Sequence, residues 1–501
     1  MAEKLDALKK HLAKVIDLHA AAAVLGWDQE VYMPEMGLRS RANQLATLST
    51  MAHEMFTSDE TARLLEAAEE EVAGLDYDSD EASLVRVTRR NFDQATKIPT
   101  SLVARESKAT SEGFAAWHQA RQADDYTIFA PHLEEIVAIQ REKAEHLGYQ
   151  AHPYDALLDL YEPDMTTAKV TALFEELKAG LVPLVQAIAQ AEQVDDTFLR
   201  EPRYDQQKQW DFTLVLLRDL GYDFRRGRQD RAPHPFTTNF GNSDVRVTTR
   251  LHEYRPQAAI FGTIHECGHA LYELGSPDAF ERTMLAGGAT LGLHESQSRL
   301  WENQVGRSLA FWQHYYPIFR AFFPDQLEGV TLPQFHRAIN KVEPSLIRVE
   351  ADEVTYNLHI FIRFELEQAL IAGDLSVADI PEAWNAKYQA YLGITPPSDA
   401  DGCLQDIHWS HGTIGYFPTY TLGNLMAAQI FDQAQREIPD LEAQFAQGEF
   451  ETLLAWLREH VHRHGQKFTA PELLQREFGT EISARPLVGY LKEKYTALYQ
   501  L

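Results

Sequence analysis

The sequence predicts a mainly α-helical fold, one large helical body with a small β hairpin set into it. Three observations carry this reading. Apolar residues return at three- and four-residue spacing over most of the 501 residues, the period of an amphipathic helix. Helix-starting and helix-ending residues bracket those runs. One stretch alone, "HPFTTNFGNSDVRVTTR" from His234 to Arg250, is rich in Thr, Val and Phe around a Gly-Asn pair, and reads as a hairpin. Length by itself suggests roughly three domains. The chain has no repeat, low-complexity tract or Ser/Pro-rich linker, so a single body over residues 1–501 is expected instead.

The elements follow in order. Leu5, Leu8, Leu12, Val15 and Ile16 recur at helical spacing with charges between them, so the N-terminus reads as a helix and not as a signal peptide. Thr57 and Glu60 are expected to form a capping box ahead of "TARLLEAAEEEV". Pro256 suits the first turn of a helix that Gly275 ends, and "LGLHESQSRLWENQ" reads as a second helix. A long helix is expected from near Ser345 to Gly373. Asp379, Pro381, Glu382 and Gly393 punctuate another, and Thr469, Pro471, Glu472 and Gly479 a third. The segment from Gly402 to Asn424 reads as a loop.

Composition narrows the class. With 45% hydrophobic and 24% charged residues the chain is globular rather than disordered or fibrous. A formal net charge of −28 repels phosphate backbones and anionic lipid, so neither nucleic acid nor a membrane is an expected partner. Two cysteines, Cys267 and Cys403, exclude a disulfide framework and fit a reducing compartment. No run of about 18 apolar residues is present to span a bilayer. A cytoplasmic location is expected.

The chemistry is densest at "IHECGHALYE", Ile264 to Glu273. Residues four apart share a helix face, so His265 and His269 can offer two imidazoles to one ion, with Glu266 beside it. This is the H-E-x-x-H arrangement of zinc peptidases. By composition the pattern arises in roughly 5% of such chains, and two ordinary helix histidines are the plain alternative. A catalytic zinc takes three protein ligands and keeps one open position. Glu295, on the next predicted helix, is the expected third. Its neighbour His294 points about 100° away on a helix and cannot easily join it. Zinc would then lower the pKa of bound water and polarise a carbonyl, with Glu266 as general base.

Two later segments supply further candidates. Arg348 and Asp352 are four apart on the expected long helix, where Arg348 could grip a substrate carboxylate with Asp352 steadying it; a surface ion pair is the alternative. The stretch from Gly402 to Asn424 carries Gln405, Asp406, His408, Trp409, Tyr416 and Tyr420. Any of His408, Tyr416 and Tyr420 could stabilise an oxyanion.

The whole chain resembles the carboxypeptidase Taq family of metallocarboxypeptidases. The matching motifs run in order: His234-Pro235-Phe236; Asp244-x-Arg246-x-Thr248; His265-Glu266-x-x-His269; His294-Glu295-Ser296-Gln297; Ile347-Arg348-x-x-Ala351-Asp352; and Gly402-x-x-Gln405-Asp406-x-His408-Trp409. "GWDQEVYMPEMGLRSRANQLATLS" near the N-terminus also matches. The resemblance implies a deep substrate groove in a fold like that of neurolysin and angiotensin-converting enzyme. A helical part over roughly 1–100 would overhang it, and a catalytic half would span roughly 230–430. It implies one Zn2+ per chain (Co2+ being possible) on His265, His269 and Glu295. Single residues would be released from free peptide C-termini, poorly when proline is last, and the protein would be a homodimer. Arg348 is the implied carboxylate binder and Arg246 its rival, with His234, Gln405 and Asp352 also lining the substrate. An oligo-endopeptidase or dipeptidyl-carboxypeptidase is the alternative activity.

Overall fold

In the computed structural model, which describes residues 3–501, helix follows helix from Glu3 to Tyr499. The sheet has three short strands, β1 (Gln229–Arg231), β2 (Thr237–Asn239) and β3 (Val245–Thr249), in the order β1-β3-β2. The mainly α expectation holds. The hairpin is β2 and β3, paired antiparallel with Thr237 opposite Val247. Strand β1 adds itself in parallel. Its sequence, Gln-Asp-Arg, carries no apolar alternation, so nothing in it announced a strand.

The opening helix, Glu3–Val31, buries Leu5, Leu8, Leu12 and Val15, while Ile16 is only half-buried. Leu5, Leu8 and Leu12 form, with Leu64, Leu65, Leu84 and Phe92, a hydrophobic cluster separate from the main core, joined by Phe280 and Leu285. The main core runs from Leu102 to Tyr499. No helix among the described residues is long and apolar enough to cross a membrane.

Three helix boundaries differ from expectation. Ser58, not Thr57, caps Asp59–Val72 by accepting the Thr61 N–H; Thr57 ends the preceding helix through its own N–H to His53 O. The side chain of Asp379 caps nothing, accepting instead from the Ser376 hydroxyl at 2.7 Å. Pro381 and Gly393 do bracket that helix, and the Thr469–Glu472 box forms as expected. The largest departure is the long helix, which begins at Tyr356, not near Ser345. The Asp352 carboxylate accepts from the N–H groups of Glu343, Val354 and Thr355 at 2.9–3.1 Å, and from the Thr355 hydroxyl at 2.7 Å. These bonds satisfy the donors of a turn, which ends any helix running in from upstream.

Close backbone packing sets up the centre. Helix Pro256–Leu274 carries the two histidines and helix Leu291–Arg299 carries Glu295. A Cβ on Gly268 would lie 2.6 Å from Ser298 Cα, and one on Gly423 would lie 2.7 Å from Glu295 Cβ. Only glycine lets helices Pro256–Leu274 and Pro418–Glu437 close on the Glu295 helix from two sides. The latter helix also takes in the last seven residues, 418–424, of the expected 402–424 loop.

Candidate active site

His265 and His269 both present Nε2 to the same carboxylate oxygen, Glu295 Oε2, at 3.5 and 3.4 Å. The three donors form the one cluster of metal-ligating type found among the described residues. Ligands at 2.0–2.1 Å on a tetrahedral ion stand about 3.3 Å apart. The two spacings to Glu295 Oε2 are therefore close to tetrahedron edges, and the fourth corner of such a site would take another group. The donor chemistry fits a borderline divalent ion: two neutral nitrogens and one carboxylate. Burial pushes His269 down to about 3, so its ring is neutral at neutral pH and keeps one nitrogen lone pair to offer. Burial works against ionised Glu295, but the Arg299 charge and the two imidazoles facing it outweigh that and hold this carboxyl well below its usual range.

The ligands are themselves held. Arg299, one helical turn past Glu295, donates from Nε to Glu295 Oε1 at 2.7 Å, while Oε2 faces the histidines and accepts from Ser298 Oγ at 3.0 Å. Glu302 Oε2 accepts from His265 Nδ1 at 3.0 Å and from Arg299 at 3.1 Å, and Glu302 Oε1 accepts from Arg307 at 3.3 Å. Glu302 sits in a π-helical turn, Leu300–Val305, of the kind that recurs at functional sites. Behind His269, Nδ1 meets His294 Nδ1 at 2.6 Å, and His294 Nε2 meets Glu273 Oε1 at 2.7 Å. The angular argument against His294 as a co-ligand of Glu295 agrees with this: its ring faces His269 from behind.

Glu266 is buried on the motif helix, and Thr237 of edge strand β2 holds it. The Thr237 hydroxyl lies 2.7 Å from Glu266 Oε2 and 2.9 Å from Glu266 O. Burial raises the Glu266 carboxyl above its ordinary value, against the lowering pull of His265 and Thr237.

Arg348 is buried, but its partner is not the expected one. It donates to Asp406 through Nε at 3.0 Å and Nη2 at 2.8 Å, and to Tyr356 through Nη1 at 3.0 Å. Asp352, committed to the turn described above, makes no pair with it. The expected helix that would have put both on one face does not reach them. Arg363, fully buried, takes the other oxygen of Asp406 at 2.6 Å. Gln405 also departs from a substrate-facing role. Its carbonyl accepts from Arg348 N and Arg363, and its amide points at four protein oxygens, Leu346 O and Tyr388 Oη among them. Arg246 is locked to Asp244 at 2.7 and 2.8 Å and lies between the Trp27 and Phe240 rings, 4.3 and 4.8 Å from their centres. His234 is exposed on the loop between β1 and β2.

Tyr356 connects the two charged centres. Arg299 stacks over its ring at 4.6 Å, while its hydroxyl accepts from Arg348. Tyr420, in the first turn of Pro418–Glu437, places its ring 5.1 Å from Arg348 and its hydroxyl 3.3 Å from His408 Nε2. Burial pushes His408 down to about 4 against the opposing Asp406 charge. Burial likewise raises the Tyr416 and Tyr420 phenols, keeping both O–H donors intact. Buried Glu367 anchors this segment, accepting from Trp409 Nε1, Gly415 N and Tyr154 at 2.6–3.1 Å. A cavity of about 450 Å³ opens beside the centre, between helix Asp80–Lys97 and the start of the Glu295 helix, lined by Arg90, Asp159, Tyr161, Thr290 and His294.

Sequence reasoning missed Thr237, Arg299, Glu302, Asp406 as the Arg348 partner, and Arg363. Arg299 and Glu302 were findable, since they follow Glu295 by four and seven residues and so lie on its face.

The family model of the carboxypeptidase Taq (M32) metallopeptidases matches residues 7–495. Thermostable carboxypeptidase 1 of Thermus thermophilus is 45% identical over 492 residues, 96% of each chain. Carboxypeptidase 1 of Bacillus subtilis is 41% identical over 98% of this chain and 97% of its own. The crystal structure of an M32 carboxypeptidase from Deinococcus radiodurans superposes with a TM-score of 0.97 at 43% identity, covering 99% of this chain and 100% of that one. With a fold, a donor cluster and full-length relatives in agreement, the chain belongs to the carboxypeptidase Taq (M32) metallopeptidase family.

Proposed function

We propose that this protein is a metal-dependent carboxypeptidase that removes single residues from peptide C-termini with broad specificity. His265, His269 and Glu295 would hold the ion, zinc by donor type, with cobalt as a substitute. When bound, a divalent ion supplies Lewis-acid polarisation of the scissile carbonyl and makes water a better nucleophile. The remaining steps belong to the chain's own residues. Glu266, its carboxylate aimed by Thr237, takes the proton of the attacking water and delivers it to the leaving amine. The Tyr416 O–H donates to the carbonyl oxygen as it gains charge. Tyr416 is favoured over Tyr420 because the Tyr420 hydroxyl already lies 3.3 Å from His408 Nε2 and its ring 5.1 Å from Arg348. His408 supports Tyr420 from behind.

The observation that carries the carboxypeptidase reading is the buried triad Arg348–Asp406–Arg363. Two guanidiniums share one carboxylate, leaving one positive charge unmatched, with Tyr356 between Arg348 and the Arg299 that holds Glu295. A peptide's terminal carboxylate would neutralise it. Arg246 already has its charge matched by Asp244. A terminal proline would make the scissile bond a tertiary amide without an N–H, which supports its being disfavoured. The helical part over roughly 1–100 would overhang the groove, consistent with its separate hydrophobic cluster. A cytoplasmic homodimer completes the reading; exposed Met36, Leu38 and Met51 offer it an apolar surface.

Mass spectrometry of one peptide digested with a free and an amidated C-terminus tests this. Stepwise single-residue loss from the free form alone, stopped by a chelator, is expected. Internal cuts or paired losses would assign the alternative endopeptidase or dipeptidyl activity.

A further inference from the structure

A histidine that binds a cation through Nε2 must carry its proton on Nδ1, and that proton needs an acceptor. The two histidines of the motif meet this need differently. His265 Nδ1 faces the Glu302 carboxylate directly. His269 Nδ1 faces another imidazole nitrogen, His294 Nδ1, at 2.6 Å. Of two facing nitrogens one donates and the other accepts. The choice is made at the far side of the His294 ring. There Nε2 lies 2.7 Å from Glu273 Oε1, and a carboxylate only accepts. His294 therefore carries its proton on Nε2, its Nδ1 lone pair is open, and His269 donates into it from Nδ1.

We propose that His294 is a positioning residue that fixes the metal-binding tautomer of His269, with Glu273 fixing His294 in turn. The relay starts and ends on one helix, since Glu273 lies four residues past His269, and it passes through the residue adjacent to Glu295. One ring thus orients a ligand and ties the two ligand-bearing helices together. The ring has no freedom to turn away. It packs 5.1 Å from the Tyr272 ring centre, and the main chain at Gly288 crosses it so closely that a Cβ there would lie 2.8 Å from His294 Cδ2 and 2.7 Å from Tyr272 Cε1. A neutral imidazole draws less proton density from His269 than Glu302 draws from His265, so His265 is the stronger donor of the two.

This inference rests on His269 being a metal ligand, and the experiment separates the two claims. The zinc dissociation constant is measured by chelator competition, and the imidazole tautomers of the metal-free protein by 15N NMR. His294→Phe should weaken zinc binding about 10- to 100-fold and move the His269 proton from Nδ1 to Nε2. His294→Asn, whose side-chain oxygen can still accept from Nδ1–H, should recover most of the affinity. Gly288→Ala, which presses on the ring without touching a ligand, should weaken binding in the same direction should the phenylalanine variant not fold. Wild-type affinity with an unchanged His269 tautomer in His294→Phe, or wild-type affinity in Gly288→Ala, overturns the relay. Wild-type affinity in His269→Ala overturns the ligand assignment and the relay with it.

Discussion

The Thr237 hydroxyl stands 2.7 Å from the Glu266 carboxylate and 2.9 Å from the carbonyl of the same residue. Edge strand β2 thereby aims the proposed base. Glu266→Gln should keep its metal and lose about 10²- to 10⁴-fold in kcat. Thr237→Val should lower kcat about tenfold at unchanged KM, within the range of one lost hydrogen bond to a charged group, and Thr237→Ser should restore it. Steady-state kinetics with metal analysis checks both. Normal turnover by Glu266→Gln removes the base assignment.

Glu295 gives one oxygen to Arg299 and the other to the histidines. Glu295→Ala should lose more metal affinity than the 10- to 100-fold typical of an orienting residue, a loss expected in turn for Glu302→Gln. Elemental analysis after dialysis reads both. Full occupancy in Glu295→Ala would point to another third ligand.

Tyr416 and Tyr420 touch edge to face, their ring centres 5.4 Å apart. Loss of an oxyanion donor costs about 10²- to 10³-fold in kcat. That cost is expected for Tyr416→Phe, and a smaller one for Tyr420→Phe. The reverse order would exchange their roles.

Burial pushes His462 down to about 3, helped by the Arg458 charge, while its Nε2 bonds Gln297 at 2.9 Å. Unfolded, a histidine titrates near pH 6.5. Between those values the unfolded chain binds the extra proton, so the stability of the buried neutral ring is full above about pH 6.5 and drains away as pH falls toward 3. His462→Gln lacks this term. Its stability deficit against wild type should shrink by up to about 1.4 kcal/mol per pH unit below pH 6.5, read by denaturant melts of the metal-free proteins. A constant gap would contradict it.

Much of the site was legible because its signals are local. The helix period places His265, Glu266 and His269 together, and Pro256 and Gly275 mark the ends of their helix. Glu295 was reachable because a third ligand was required. The Arg348 surroundings were not legible. A helical pattern from Ser345 onward put Asp352 on the face of Arg348. The turn that Asp352 builds from three backbone N–H groups instead hands the arginine to Asp406, 58 residues on. Such long-range pairing leaves no periodic trace. The Glu273–His294–His269 relay was hidden likewise, since a residue rejected as a ligand by its angle gives no sequence sign of what its ring faces.

The central claim is that a terminal carboxylate, read by Arg348, places the cut. It is tested most directly by kcat/KM of wild type and Arg348→Ala on one peptide with free and amidated C-termini. The free peptide should lose at least about 10-fold in the variant, as for one charge-assisted contact worth 1.5–3 kcal/mol, so that its advantage over the amidated form collapses. An equal loss on both peptides would contradict the claim and move the carboxylate site away from Arg348.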